Sequence, residues 1–301
     1  MTRNVTVGLD GSPESLAAAA WAAQEALLRE VPLHLVHAEE WPTTAVIPMV
    51  GPEVQQQWAD KVLADAADQL RQRHPGLEIT TRRLSGRPAA ALPVEAGDAE
   101  MLVLGSRGLG SIMGFLIGSV GMATVSATEQ PVVLVRAPKH HDKEFRTRSG
   151  GAEQTNAASV YRDVVVGLDI SQSCDKLLAF AFDEAARRGC TLRAVHGWTL
   201  PLVFSYAPML NPGIQLEVGR QVEQALSDML LPWRQKFPSV QVVERALIGS
   251  PAQQLVYSAA DADLVVVGQR LRRAPLGAHI GPVAHAVMHH SAAPVAVVPH
   301  D

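Results

Sequence analysis

The chain carries one pattern twice, and that repeat limits its fold more than any other feature. "VTVGLDGSPES", from Val5, recurs as "VVVGLDISQSC", from Val164, 159 residues on. "LHLVHA" (Leu33 to Ala38) keeps that offset with "LRAVHG" (Leu192 to Gly197), so His37 corresponds to His196. The offset then becomes 163. "GRPAAAL" from Gly86 matches "GSPAQQL" from Gly249, "MLVLGSRG" from Met101 matches "LVVVGQRL" from Leu264, and "PVVLV" from Pro131 matches "PVAVV" from Pro294. Anchors that keep one order through both halves identify a duplicated domain of about 140 residues. The expected organisation is a first domain over residues 1–138, a linker over 139–159 and a second domain over 160–301. The linker sequence is polar and glycine-containing, without sustained periodicity. Its His140–His141 pair has no further ligands at useful spacing and reads as solvated.

Within each half, short β-branched runs alternate with longer helical patterns. In the first half, Val5–Leu9, Leu33–His37, "LEITTRRL", "EMLVLG" and "PVVLV" read as strands. Ser12 is a candidate N-cap, with Pro13 at the first helical position. "EMLVLG" is continuously apolar, as befits a strand buried on both faces. Five strands alternating with four helices predict an α/β fold: two tandem doubly wound domains, each a Rossmann-like, mostly parallel sheet flanked by helices. A net charge of −4 gives no polyanion footprint, so neither nucleic acid nor a membrane surface is an expected partner. The amino terminus lacks a signal-peptide pattern. The two cysteines, Cys174 and Cys190, accordingly read as reduced thiols of a cytoplasmic protein. Cys174 lies near a helix start, which favours a thiolate, but no base partner is evident, so it reads as a buried or incidental cysteine.

The chemistry concentrates in "VLGSRGLGSIMGFLIGSV", Val103 to Val120. It leaves a buried strand and leads into a helix, where a parallel sheet can offer an anion the helix-initial N–H groups and a positive dipole end. A P-loop is excluded, because no lysine occurs between Met101 and Gln130. A dinucleotide fingerprint is wrongly spaced and follows the fourth strand rather than the first, which makes a dinucleotide oxidoreductase a poor reading. The pattern G-x-x-G, nine residues, then G-[ST] fits Gly105, Gly108, Gly118 and Ser119 residue for residue. Gly110 and Gly114 fall between these anchors and read as slack.

That pattern is the nucleotide-binding signature of the ATP-binding universal stress proteins, and the repeat resembles a tandem member of that family over both halves. The resemblance implies an adenine nucleotide alpha hydrolase-like fold and bound ATP, with or without magnesium. It implies that Gly105, Ser106, Arg107, Gly108, Gly118, Ser119 and Val120 wrap the phosphates and ribose. It further implies that Gly8 and Asp10 line the adenine and ribose side, and that the Ala38 backbone reads the adenine edge. Bland alternatives stay open: Gly105 could merely end a strand, Asp10 could be a turn acid, and Arg107 and its counterpart Arg270 could face solvent. His37 and His196 read as polar strand-end residues rather than catalysts.

The second half departs from the pattern. Gly167, Asp169, Gly268 and Gly281 match Gly8, Asp10, Gly105 and Gly118, but Leu271 replaces the second glycine and Pro282 replaces the serine. Proline removes a hydroxyl and an N–H donor while still suiting a helix start. The expectation is an asymmetric protein whose first half holds nucleotide and whose second is weakened or vacant, with Arg272 and Arg273 compensating in part. Neither half offers a paired-carboxylate site or a P-loop lysine, so a nucleotide-dependent regulator of stress adaptation or growth is expected rather than an enzyme. Weak ATP hydrolysis, autophosphorylation and a ligand-free interaction scaffold are the alternatives. Bulky substitution of Gly105 or Gly118 is expected to remove nucleotide and spare folding. The closing apolar strands suggest sheet edges that pair the halves as an internal pseudo-dimer, or pair two chains as a homodimer.

Overall fold

A computed structural model describes residues 3–39, 52–106, 117–137, 161–200, 213–270 and 280–300. The chain divides into two compact units, Met1–Ala158 and Ser159–Asp301. The proposed linker, residues 139–159, lies outside the described residues, as does the segment 107–116.

The first unit contains β1 (Val5–Gly8), α1 (Pro13–Arg29), β2 (Leu33–Glu39), α2 (Pro52–Arg73), β3 (Ile79–Ser85), α3 (Pro88–Ala96), β4 (Met101–Gly105), α4 (Ser119–Ala127) and β5 (Val132–Val135). Its strands lie in the order β3-β2-β1-β4-β5, and every pair is parallel. From β1 the chain winds outward through β2 and β3, then crosses back to place β4 on the other side of β1. That reversal opens a crevice beyond the carboxyl ends of β1 and β4, the usual ligand position in this fold class. Helices α1 and α2 touch each other on one side of the sheet, while α3 and α4 touch each other elsewhere. The core is aliphatic: Val5, Val7, Leu33, Leu35, Leu102 and Val103 are fully buried. An alanine face on α1 (Ala18, Ala19, Ala22, Ala23 and Ala26) lets that helix lie close to the strands.

The second unit repeats the plan with β6 (Val164–Gly167), α5 (Asp175–Arg188), β7 (Leu192–Trp198), α6 (Gly213–Lys236), β8 (Val242–Ile248), α7 (Pro251–Ser258), β9 (Leu264–Arg270), α8 (Pro282–His290) and β10 (Val295–His300). Its parallel order is β10-β9-β6-β7-β8, so the crevice falls between β6 and β9. Phe182 of α5 stacks on Trp233 and lies tilted against Phe237, giving this unit an aromatic cluster. A buried ion pair recurs at the 159-residue offset, Glu25 with Arg29 and Glu184 with Arg188. Arg29 also reaches Glu100 at 2.9 Å, just before β4, so this charge lies at the sheet edge opposite the crevice.

Local signals explain the helix limits. Ser12 caps α1, its Oγ accepting from the Ser15 N–H at 3.2 Å, and Pro13 occupies the first turn. The helix ends on Glu30 in the left-handed region, φ 56°, where the second unit has Gly189 at φ 59°. A side chain there costs energy that glycine avoids. Glu30→Gly should therefore stabilise the protein by about 0.5–1 kcal/mol in denaturant titration, net of the added flexibility of the unfolded chain. A loss of stability would contradict this assignment of strain.

Candidate functional site

The site is assembled from the turn after β1. Asp10 Oδ1 accepts from the Ser12 N–H at 3.0 Å and the Ser12 hydroxyl at 2.5 Å. The Asp10 N–H donates to Ser15 Oγ at 3.3 Å, and Ser15 Oγ donates to the Ser12 carbonyl at 3.0 Å. Asp10 is thus an organiser of the β1–α1 turn, with one carboxylate oxygen engaged in holding the α1 cap. Between them Gly11 sits at φ 77°, a conformation that glycine adopts without strain.

His37, at the end of β2, explains how the sheet stops. Its Nδ1 lies 2.7 Å from the Leu9 carbonyl, which can only accept, so Nδ1 carries the proton. The Leu9 N–H donates to the Val36 carbonyl at 2.8 Å, beyond the last β1–β2 rung at Gly8 and Val36. Backbone groups alternate between neighbouring strands along β2, which turns the Ala38 N–H and C=O to the same side as those of Val36, just past the end of β1. The arrangement recurs in the second unit, where His196 Nδ1 meets the Leu168 carbonyl at 2.9 Å. Both histidines lock strand ends, and the position expected to read a base edge has its backbone turned toward the crevice.

On the other side of β1, Ser106 is buried and its N–H donates to the Val135 carbonyl at 2.7 Å. Its own carbonyl accepts from the Gly118 N–H at 3.1 Å. That bond closes the glycine-flanked segment and places the start of α4 beside the end of β4. Gly118 is the N-cap (φ −64°, ψ 154°), Ser119 is the exposed first residue of α4, and Val120 follows. Helix-initial N–H groups have no intrahelical acceptor, so Ser119 and Val120 offer two backbone donors, a hydroxyl and the positive end of the helix dipole. Arg107 and Gly108 lie outside the described residues.

Two signature glycines have structural reasons of their own. A Cβ on Gly8 would sit 2.7 Å from Leu104 Cδ2 and 3.4 Å from Leu92 Cδ2, so its side faces the α3 packing rather than the crevice. Gly167 meets Leu255, the counterpart of Leu92, in the same way. A Cβ on Gly105 would sit 2.8 Å from both the Glu14 carbonyl carbon and the Ser15 nitrogen. Those are backbone atoms of the first turn of α1, and they cannot swing aside. The expectation that a bulky Gly105 variant spares the fold is therefore corrected. Gly118, by contrast, has a φ that every residue adopts.

One residue of the site gave no signal in the sequence. Trp58, from α2, lies over the Gly11 turn, its Cζ2 3.2 Å from where a Gly11 Cβ would be. Its ring meets His37 edge-on, with centroids 5.4 Å apart. It remains 45% exposed. It sits outside any motif, and helical spacing alone made it one more apolar residue of α2.

The second unit keeps the frame and loses the chemistry. Gly281 caps α8 with φ −62° and ψ 153°, matching Gly118, but the next residue is Pro282, without an N–H. Helix α5 begins at Asp175, the counterpart of Leu16, three residues later than α1 begins. The space that the first turn of α1 fills at Gly105 is filled at Gly268 by His300, whose Nε2 would lie 2.5 Å from an added Cβ. At the Ala38 position stands Gly197, and backbone of Pro251 at the start of α7 presses directly on it. Gln269 replaces Ser106, and its buried amide nitrogen and oxygen both go without a hydrogen-bond partner among the described residues. Asp169 still accepts from Ser171 N–H (3.0 Å) and Oγ (2.6 Å). Arg270 is exposed, and Leu271, Arg272 and Arg273 lie outside the described residues.

Cys174 is buried, as its lack of a base partner suggested. It is the N-cap residue of α5, yet burial, then Asp175 and Asp169, push its thiol up to about 11. Its Sγ lies 3.8 Å from Met229 Sδ. Burial is also the largest influence raising Cys190. Among the described residues no group of three or more His, Cys, Asp or Glu is placed to hold a metal, and no helix is long and apolar enough to cross a membrane.

A pair of doubly wound units, each with a crevice at the strand reversal and a glycine-capped helix beside it, defines a tandem Rossmann-like α/β architecture. The Universal stress protein family profile matches residues 1–136 and again 160–299, and the chain belongs to that family. Universal stress proteins Rv2005c and Rv2623 of Mycobacterium tuberculosis are each 32% identical to it. The first alignment covers 97% of this chain and 96% of the relative, the second 97% and 95%. The crystal structure of a universal stress protein from Archaeoglobus fulgidus superposes over the full length of both chains with a TM-score of 0.69 at 16% identity, a likeness of fold.

Two outcomes check these assignments. Gly105→Ala should destabilise the protein by about 2 kcal/mol or more, whereas Gly118→Ala, a change of N-cap residue at a φ that alanine adopts, should cost about 1 kcal/mol or less; equal losses would refute the close approach of α1. A thiol about two pKa units above the ordinary 9.0 carries roughly a hundredfold less thiolate near neutral pH. Cys174 should therefore react with a thiol reagent only slowly until the chain is unfolded, and immediate labelling of both cysteines in the native protein would contradict this.

Proposed function

We propose that the first unit binds an adenine nucleotide, ATP in the fullest form of the reading, across the ends of β4, β1 and β2, and that the chain is a nucleotide-dependent regulator of stress adaptation or growth without catalytic turnover. The observation that carries this is the closure of Ser106 onto Gly118, which presents the Ser119 and Val120 N–H groups and the Ser119 hydroxyl at the sheet's strand reversal. Phosphate suits those donors. The Ala38 backbone, two strands away, suits the hydrogen-bonding edge of a base. Family membership supports the nucleotide's identity as adenine, which donor geometry alone does not select.

Turnover would require a group that activates water. Asp10 has one carboxylate oxygen committed to the α1 cap, and His37 Nδ1 is committed to the Leu9 carbonyl. These commitments support a binding role over a hydrolytic one. Magnesium, when carried, would arrive on the nucleotide's phosphates. The second unit is assigned a weakened or vacant site, on the strength of Pro282, Pro251 against Gly197 and the unpartnered Gln269 amide. Association through the last strand of a unit, within a chain or between chains, belongs to the same reading; β5 and β10 each lie at one edge of their own unit's sheet.

Titration of the full chain with ATP in a calorimeter tests this reading. Binding of about one nucleotide per chain is expected, with Ser119→Ala weakening it roughly tenfold or more through loss of a donor to a charged ligand. Phosphate release should stay at background. Two equal sites would overturn the asymmetry, absence of binding would overturn the nucleotide reading, and sustained release of phosphate would overturn the regulator.

A further inference from the structure

Trp58 is out of place as a core residue. The residue is 45% exposed, yet two neighbours seat it from below: the Gly11 turn, where an added Cβ would come within 3.2 Å of the indole Cζ2, and the His37 ring at 75° and a centroid distance of 5.4 Å. Val62 completes the seat, 3.4 Å from the Gly11 Cβ position. A large aromatic held rigidly with much of its surface in water is the form of a stacking platform, because little conformational entropy is lost when a ligand settles on it.

Its place along the sheet edge matters as much. Across the carboxyl ends the order runs from α4 and β4, through Asp10 at β1, to His37 and Ala38 at β2. Trp58 stands over the last of these positions. Strands lie about 4.8 Å apart, so the end of β4 is roughly 10 Å from the end of β2. That separates an anion at Ser119 from the Trp58 indole by about the reach of a nucleoside with its first phosphate. The second unit provides no such platform from its tryptophan at this edge: Trp198, which ends β7, is buried against Gly219 of α6.

We propose that Trp58 is the aromatic wall of the base subsite, stacking on the base of a nucleotide whose phosphates lie at the start of α4. This rests on the nucleotide reading above and adds to it a residue that discriminates a nucleotide from a bare phosphate. His37 then has two duties, ending the β1–β2 ladder and holding the indole edge in place.

The test uses the full chain with ATP as the probe, comparing wild type, Trp58→Phe and Trp58→Ala by calorimetry and tryptophan fluorescence. Stacking on a base predicts that Trp58→Ala weakens ATP roughly tenfold or more, while Trp58→Phe stays within about threefold of wild type. The wild-type chain should also show an ATP-dependent change in emission that Trp58→Phe lacks while still binding ATP. A purely structural seat for the indole would not produce that spectral difference. ATP affinity unchanged in Trp58→Ala, or an emission change that survives in Trp58→Phe, would overturn this inference and leave the nucleotide reading standing. A wild-type chain that does not bind ATP would overturn the nucleotide reading, and this inference with it.

Discussion

The first turn of α1 lies so close to the end of β4 that no side chain fits between them. Glycine at position 105 is the condition for that approach, and much else at the crevice follows from it. The turn must leave β1 sharply, which Gly11 allows and the Asp10–Ser12–Ser15 hydrogen bonds enforce. With α1 drawn in, β1 ends where Leu9 gives its carbonyl to His37, and the backbone of Ala38 is left turned toward the crevice. The signature glycine therefore shapes the site from beneath, through packing, before any ligand contact is considered.

The duplicated unit supplies a comparison within one chain. Both units keep the strand order, the histidine lock on the first strand and the glycine-capped helix after the fourth. The second differs at the parts proposed to serve a ligand. Its first helix starts later, His300 occupies the resulting space, and Pro282 stands where a donor is needed. What persists in both is what the sheet needs to fold. What differs is concentrated where an anion and a base would lie, which separates structural constraint from functional constraint without any outside reference.

Much of the fold was legible because it rests on local chemistry: β-branched runs for buried strands, Ser12–Pro13 for a helix start, and a repeat that showed the same pattern twice. The candidate site was legible only in part. Gly118 and Ser119 announce themselves by spacing, whereas the packing against Leu92, Leu104 and the α1 backbone that constrains Gly8 and Gly105 gives no such signal. Those partners are distant in sequence, so no spacing rule could have named them. Trp58 was missed for the same reason, since its meaning comes from Gly11 and His37, about 47 and 21 residues away. Cys174 was legible as an incidental cysteine from its lack of a base partner; burial and two neighbouring aspartates supply the physical reason, outweighing the helix start.

The central claim is that one of two similar crevices is competent for a nucleotide. A crystal structure of the chain grown with ATP tests it most directly. The account predicts electron density for one nucleotide in the first unit, its phosphates against the start of α4 and its base beside Ala38. Density in the second unit alone, or nucleotide bound elsewhere on the first, would contradict it.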